Sequence, residues 1–71
     1  MDTNTIQVSI NGEAREVPSN SCVASLLEWL KVAQDRVAVE LNHSIVRKRD
    51  WGEAAIPRGA QIEIVEFVGG G

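Results

Sequence analysis

Apolar and polar positions alternate from Ile6 to Ile10, with Gln7 and Ser9 between Ile6, Val8 and Ile10. That period of two marks a strand with one buried face. Asn11-Gly12 comes next, a pair suited to the two positive φ angles of a two-residue hairpin turn. A second strand is predicted over Glu13 to Val17, with Ile10 opposite Glu13, Val8 opposite Arg15 and Ile6 opposite Val17. Only its far end brings an apolar residue to the core side, so Arg15 must lay its alkyl stem on the sheet.

Pro18-Ser19-Asn20-Ser21 breaks this strand, and Ser21 is the predicted N-cap of a helix. Val23, Leu26, Leu27 and Leu30 stand at i, i+3, i+4 and i+7 and form one apolar stripe, with Ser25, Glu28 and Lys31 turned elsewhere. Alternation returns at Val37, Val39 and Leu41, which predicts a third strand ending at the turn-like Asn42-His43-Ser44. Ile45-Val46 forms a short strand. Arg47 to Ala55 reads as a loop or short helical turn pinned by Trp51. Pro57-Arg58-Gly59-Ala60 is turn chemistry, and Gln61 to Val68 is predicted to be the longest strand. Apolar residues on both faces in its middle place it centrally in the sheet. The order of hairpin, helix and further strands predicts an α+β fold, one helix packed across a mixed sheet of four to five strands in the β-grasp arrangement.

Composition narrows the function. The chain has 71 residues, 44% hydrophobic and 24% charged, enough for one small packed domain. A single cysteine excludes an internal disulfide, and one histidine without a nearby cysteine argues against a metal site. The formal charge of −3 argues against nucleic acid as a partner and suits basic protein surfaces. No apolar run approaches the roughly 18 residues of a membrane span, and Met1 to Thr5 lacks the features of a signal peptide. The expected setting is the cytoplasm, without a membrane partner.

The chemistry is expected at Gly69-Gly70-Gly71. Three residues without a Cβ can enter a slot too narrow for side chains, and fully extended they reach at most roughly 10 Å beyond the sheet. The expected division is a domain over 1–68 and a flexible tail over 69–71. A terminal carboxylate is a poor electrophile until it is activated, and an adenylyl group from ATP makes it a mixed anhydride open to a sulfur nucleophile. The chain has no Gly-rich phosphate loop, so it is expected to bind no cofactor itself and to leave ATP to a partner.

Asn11-Gly12-Glu13, Val23 to Leu27, Val37 to Asn42, Ile45-Val46 with Trp51, and Ile62 to Gly71 together resemble the sulfur carrier family of thiamine biosynthesis, ThiS. The resemblance covers nearly the whole chain. Two positions depart from the family pattern: Ala60 stands where an Asp is expected, and Arg47 where a proline is frequent. The resemblance implies a ubiquitin-like β-grasp fold and a co-substrate, not an enzyme. It implies adenylation of Gly71 by a ubiquitin-activating-type adenylyltransferase, conversion to a thiocarboxylate and donation of sulfur to thiazole synthase. Sulfur would come from cysteine through a cysteine desulfurase. Gly71 would carry the reacting carboxylate, with Gly69, Gly70, Glu63, Glu66 and Phe67 touching partners. A carrier of the molybdopterin synthase small-subunit type, which would end in the same chemistry, and a covalent protein modifier, whose Gly71 would form an isopeptide bond with lysine, remain alternatives.

Other side chains read more plainly. Cys22 fits a small, partly buried residue in the first helical turn better than a reactive thiol. His43 is a solvated turn residue, and Arg47-Lys48-Arg49 a solvated basic loop. Trp29, off the centre of the stripe, is expected to be partly exposed, and Trp51 to cap the edge of the core.

Overall fold

Asn11 (φ 52°) and Gly12 (φ 86°) both take left-handed backbone conformations, which closes the two-residue turn between β1 (Thr5–Ile10) and β2 (Glu13–Pro18). The predicted register holds, with Ile10 opposite Glu13, Val8 opposite Arg15 and Ile6 opposite Val17. Val17 is the one buried residue of β2. The computed structural model describes residues 4–67. Val68, the last residue assigned from sequence to the final strand, and the tail over 69–71 lie outside the described residues.

α1 (Val23–Trp29) begins one residue later than the sequence suggests, because Cys22 and not Ser21 is its N-cap. The Ser21 hydroxyl is committed elsewhere: it donates to Pro18 O at 2.6 Å and closes the preceding turn. Cys22 Sγ accepts from Ser25 N–H at 3.4 Å, while Ser25 Oγ accepts from Cys22 N–H at 2.9 Å. This is a reciprocal capping box with a thiol in the usual place of a hydroxyl. The other unpaired amides of the first turn find carbonyls of the 51–56 loop, Val23 N–H on Ala54 O and Ala24 N–H on Trp51 O. At the far end Lys31 N–H bonds Glu28 O and Val32 N–H bonds Leu27 O, a Schellman stop in which Lys31 takes φ 62° where glycine is usual. The helix therefore ends before Leu30, which caps it and is only partly buried.

β3 (Val37–Leu41), β4 (Ser44–Val46) and β5 (Gln61–Glu66) complete a five-stranded sheet in the order β2-β1-β5-β3-β4. β5 runs parallel to β1 and antiparallel to β3. One helix across such a mixed sheet is the β-grasp architecture. β5 is central, as its sequence implies, but with six residues it equals β1 and β2 and is not the longest strand. Its apolar residues on both faces have another outcome as well. Ile62 is buried under the helix side, whereas Val65 is 57% exposed, because α1 covers only one face of the sheet.

Ile6, Val8, Ile10, Val17, Val23, Leu26, Leu27, Val37, Val39, Trp51, Ile56, Ala60 and Ile62 form the buried core. Trp51 follows a single 3-10 turn (Lys48–Asp50), and its Nε1–H donates to Val46 O at 2.9 Å, so the ring is buried without leaving its polar edge unpaired. Trp29 is half-exposed, with the Arg15 guanidinium 5.8 Å from the centre of its ring. The turn before β5 places Gly59 at φ 80° with Ala60 N–H on Pro57 O, the geometry of a type II turn, which requires a residue that tolerates positive φ. Ala60 is buried, so an Asp at this position would have to desolvate its carboxylate.

The second departure from the family pattern yields a stability prediction. Arg47 sits at φ −66° and ψ 146°, the conformation that proline imposes. Leu41 and Ser44 pair across a two-residue turn, and the alternation of the ladder then turns the Arg47 amide away from β3. Arg47→Pro loses no ladder bond and restricts the unfolded chain, so it should stabilise the fold by about 0.4–1 kcal/mol. A denaturant midpoint at or below that of wild type would show that the Arg47 amide or side chain is needed.

Candidate functional site

Two asparagines hold β5. Asn42, in the β3–β4 turn, donates its N–H to Gln61 O at 2.7 Å and accepts from Gln61 N–H through Oδ1 at 2.8 Å. Asn11, in the β1–β2 turn, accepts from Ile64 N–H through Oδ1 at 2.8 Å and donates from Nδ2 to Ile64 O at 3.3 Å. Phe67, the last described residue, is tied by its N–H to Arg36 O at 2.7 Å, at the end of a 3-10 turn (Gln34–Arg36). The chain is thus fixed up to the residue before Val68.

The pleat sorts the residues expected to meet partners. Glu63, Val65 and Phe67 lie on the face away from α1, and Glu66, opposite Val37, lies on the other. Glu63 and Glu66 are therefore close along the strand but not on one surface. Glu63 faces Glu40 across β3, a like-charged pair that basic groups of a partner would relieve. Ile45 is opposite Glu40 and Ala38 opposite Val65, so the open face carries Ile45 at 73%, Val65 at 57% and Phe67 at 58% exposure beside these two carboxylates. Sequence reasoning named Phe67 but not Ile45 or Val65. The signal was present in the alternation, since both are apolar residues on the face that the helix stripe does not cover. Gly69, Gly70 and Gly71 lie outside the described residues.

The remaining candidates lie on other elements. Cys22 lies at the N-terminus of α1, where the Ser25 backbone amide and then its hydroxyl hold the thiol below its ordinary pKa. It borders an open cleft lined by Ser21, Glu53, Ile56 and Arg58. His43 takes φ 72° in the exposed β3–β4 turn, and Arg47, Lys48 and Arg49 are exposed at the sheet edge. Among the described residues no group of three or more His, Cys, Asp or Glu is placed to hold a metal, and no helix is long and apolar enough to cross a membrane.

A model of the ThiS family matches residues 8–71. The chain belongs to the ThiS family. A crystal structure of the thiamine biosynthesis protein ThiS from Geobacter metallireducens superposes with a TM-score of 0.81 at 32% identity, covering 93% of this chain and all of that one. The sulfur carrier protein ThiS of Escherichia coli is 29% identical over 66 residues, 93% of this chain and the whole of that protein. A thiazole synthase of Paramagnetospirillum magneticum is 41% identical over 66 residues, again 93% of this chain. The chain spans about a fifth of the length of the thiazole synthases that it matches. This ThiS-family chain therefore has the β-grasp fold of its relatives.

Proposed function

We propose that this protein is a sulfur carrier for the assembly of the thiamine thiazole and works in the cytoplasm as a co-substrate of partner enzymes. Residues 1–68 form the carrier body and 69–71 the tail. The observation that carries the reading is that the ThiS-family match runs through residue 71, directly beyond a strand that is tied down to Phe67. A body fixed that far gives the chain beyond it a defined point of departure, and glycine at positions 69 and 70 leaves no side chain to block threading.

In this reading a ubiquitin-activating-type adenylyltransferase binds ATP, the Gly71 carboxylate oxygen attacks the α-phosphorus, and pyrophosphate leaves. The acyl adenylate is then attacked at carbon by a sulfur nucleophile and releases AMP. If the nucleophile is a persulfide derived from cysteine by a cysteine desulfurase, the product is an acyl disulfide. A thiol then cleaves its S–S bond, leaving the thiocarboxylate on Gly71 and a new disulfide between the thiol and the spent sulfur. Thiazole synthase is the acceptor, a choice supported by the relatives of that name. Intact-protein mass spectrometry of material from thiamine-limited cells tests the whole scheme. The expected species has one oxygen replaced by sulfur. A chain that carries only oxygen under these conditions, or that forms heavier isopeptide conjugates, would overturn it.

Glu63, Glu66 and Phe67 are the proposed contacts of the body with its partners. Two carboxylates on opposite faces of one strand suit a partner that closes around the strand end, with Phe67 on the open side. Steering by such charges acts on association rate and is screened above about 0.15 M salt. Glu66→Lys should slow binding to the activating enzyme at low salt, and the difference should vanish at high salt. Stopped-flow rates equal to wild type at low salt would remove Glu66 from the interface.

A further inference from the structure

The parallel ladder between β1 and β5 stops at Ile10 and Ile62, with Asn11 N–H reaching Ile62 O at 2.8 Å. β1 then turns into the hairpin, whereas β5 continues to Glu66. Beyond Ile62 no strand among the described residues lies beside that side of β5, and the Asn11 side chain takes the place. A carboxamide carries an acceptor oxygen and an NH2 donor on one planar group. Its two bonds to Ile64 N–H and O pair this residue as if β1 ran further. On the opposite side β3 holds β5 as far as Glu66, and Arg36 O holds Phe67.

A strand end paired along one edge can hinge about that edge, and one paired along both cannot. We propose that Asn11 is a positioning residue for the C-terminal tail: by pairing Ile64 from the β1 side it fixes the direction in which the chain leaves the sheet after Phe67. The inference rests on the carrier reading above. It assigns the hairpin asparagine a role besides its positive φ, for which glycine would serve as well. The loss of Asn11 lowers the fraction of carriers whose tail is aimed at the partner's slot. Apparent affinity falls in proportion to that fraction, and the chemical step once the tail is seated is unchanged.

Asn42 supplies the control, since it makes a similar side-chain bond to β5 at the end remote from the tail. Asn11→Gly and Asn42→Gly both keep residues that tolerate their turns, so both variants should fold, which thermal melting verifies. The measurements are amide exchange at Ile64 and the KM and kcat of ATP-dependent adenylation by the partner adenylyltransferase, with the carrier as varied substrate. Asn11→Gly should exchange the Ile64 amide at least about tenfold faster and raise KM roughly three- to tenfold, the worth of one or two hydrogen bonds, with kcat unchanged. Asn42→Gly should leave KM within about twofold of wild type. A wild-type KM in Asn11→Gly, or an equal rise in both variants, would overturn the positioning role. Wild-type protein that accepts no adenylyl group would instead overturn the carrier reading, and this role with it.

Discussion

One residue added after Gly71 should abolish adenylation and leave the melting temperature unchanged. Adenylation needs a free carboxylate, and the extension buries the Gly71 carbonyl in an amide and moves the charged end one residue further on. A slot that receives a terminal carboxylate has no reason to receive an amide with a chain beyond it. The stability side of the expectation follows from the core, whose buried members among the described residues run from Ile6 to Ile62, so a change at 71 lies among substitutions that alter stability by no more than about 0.5 kcal/mol. Gly70→Val should give the same separation by another route. A β-branched side chain restricts the backbone and widens a segment that has to thread. Binding must also offset a backbone ordering cost on the order of 1–2 kcal/mol for each residue of the tail. The comparison is ATP-dependent adenylation beside thermal melting for wild type, the extended chain and Gly70→Val. Full activity of the extended chain, with mass spectrometry showing the extra residue still in place, contradicts the proposed function.

The largest expected loss of stability is at the centre of the helix stripe. Leu27 is fully buried, and its carbonyl accepts the Val32 amide that stops the helix. Leu27→Ala removes buried methyl groups and leaves a cavity that the surrounding residues fill only in part, at a cost of about 2–5 kcal/mol. A domain of this length has roughly 4–10 kcal/mol in all, so the variant should lose a large part of its stability. Its denaturant midpoint should fall with little change in the slope of the transition. Leu30→Ala should cost less, because Leu30 caps the helix and is partly exposed. A midpoint for Leu27→Ala equal to wild type would be incompatible with the packing of α1 on the sheet.

Features that depend on neighbours along the chain were legible in the residues themselves. Asn11-Gly12 fixed the first turn and, through the period of two, the register of six residue pairs between β1 and β2. The spacing of Val23, Leu26 and Leu27 fixed the buried side of α1. The run from Ile62 to Gly71, together with the earlier segments, pointed to the ThiS family, which the match over residues 8–71 bears out. The features that were not legible involve groups competing for one partner across the fold. Ser21 resembles an N-cap in sequence, but the Pro18 carbonyl holds its hydroxyl, and capping passes to Cys22. The apolar run of β5 reads as buried on both sides, yet α1 covers a single face of the sheet, so Val65 and Phe67 remain exposed. Asn11 and Ile64 are 53 residues apart, and a polar side chain at a turn carries no mark of which distant backbone it will meet. Local propensity and periodicity are written in adjacent residues, whereas a hydrogen-bond partner supplied by another strand exists only once the chain has closed around it.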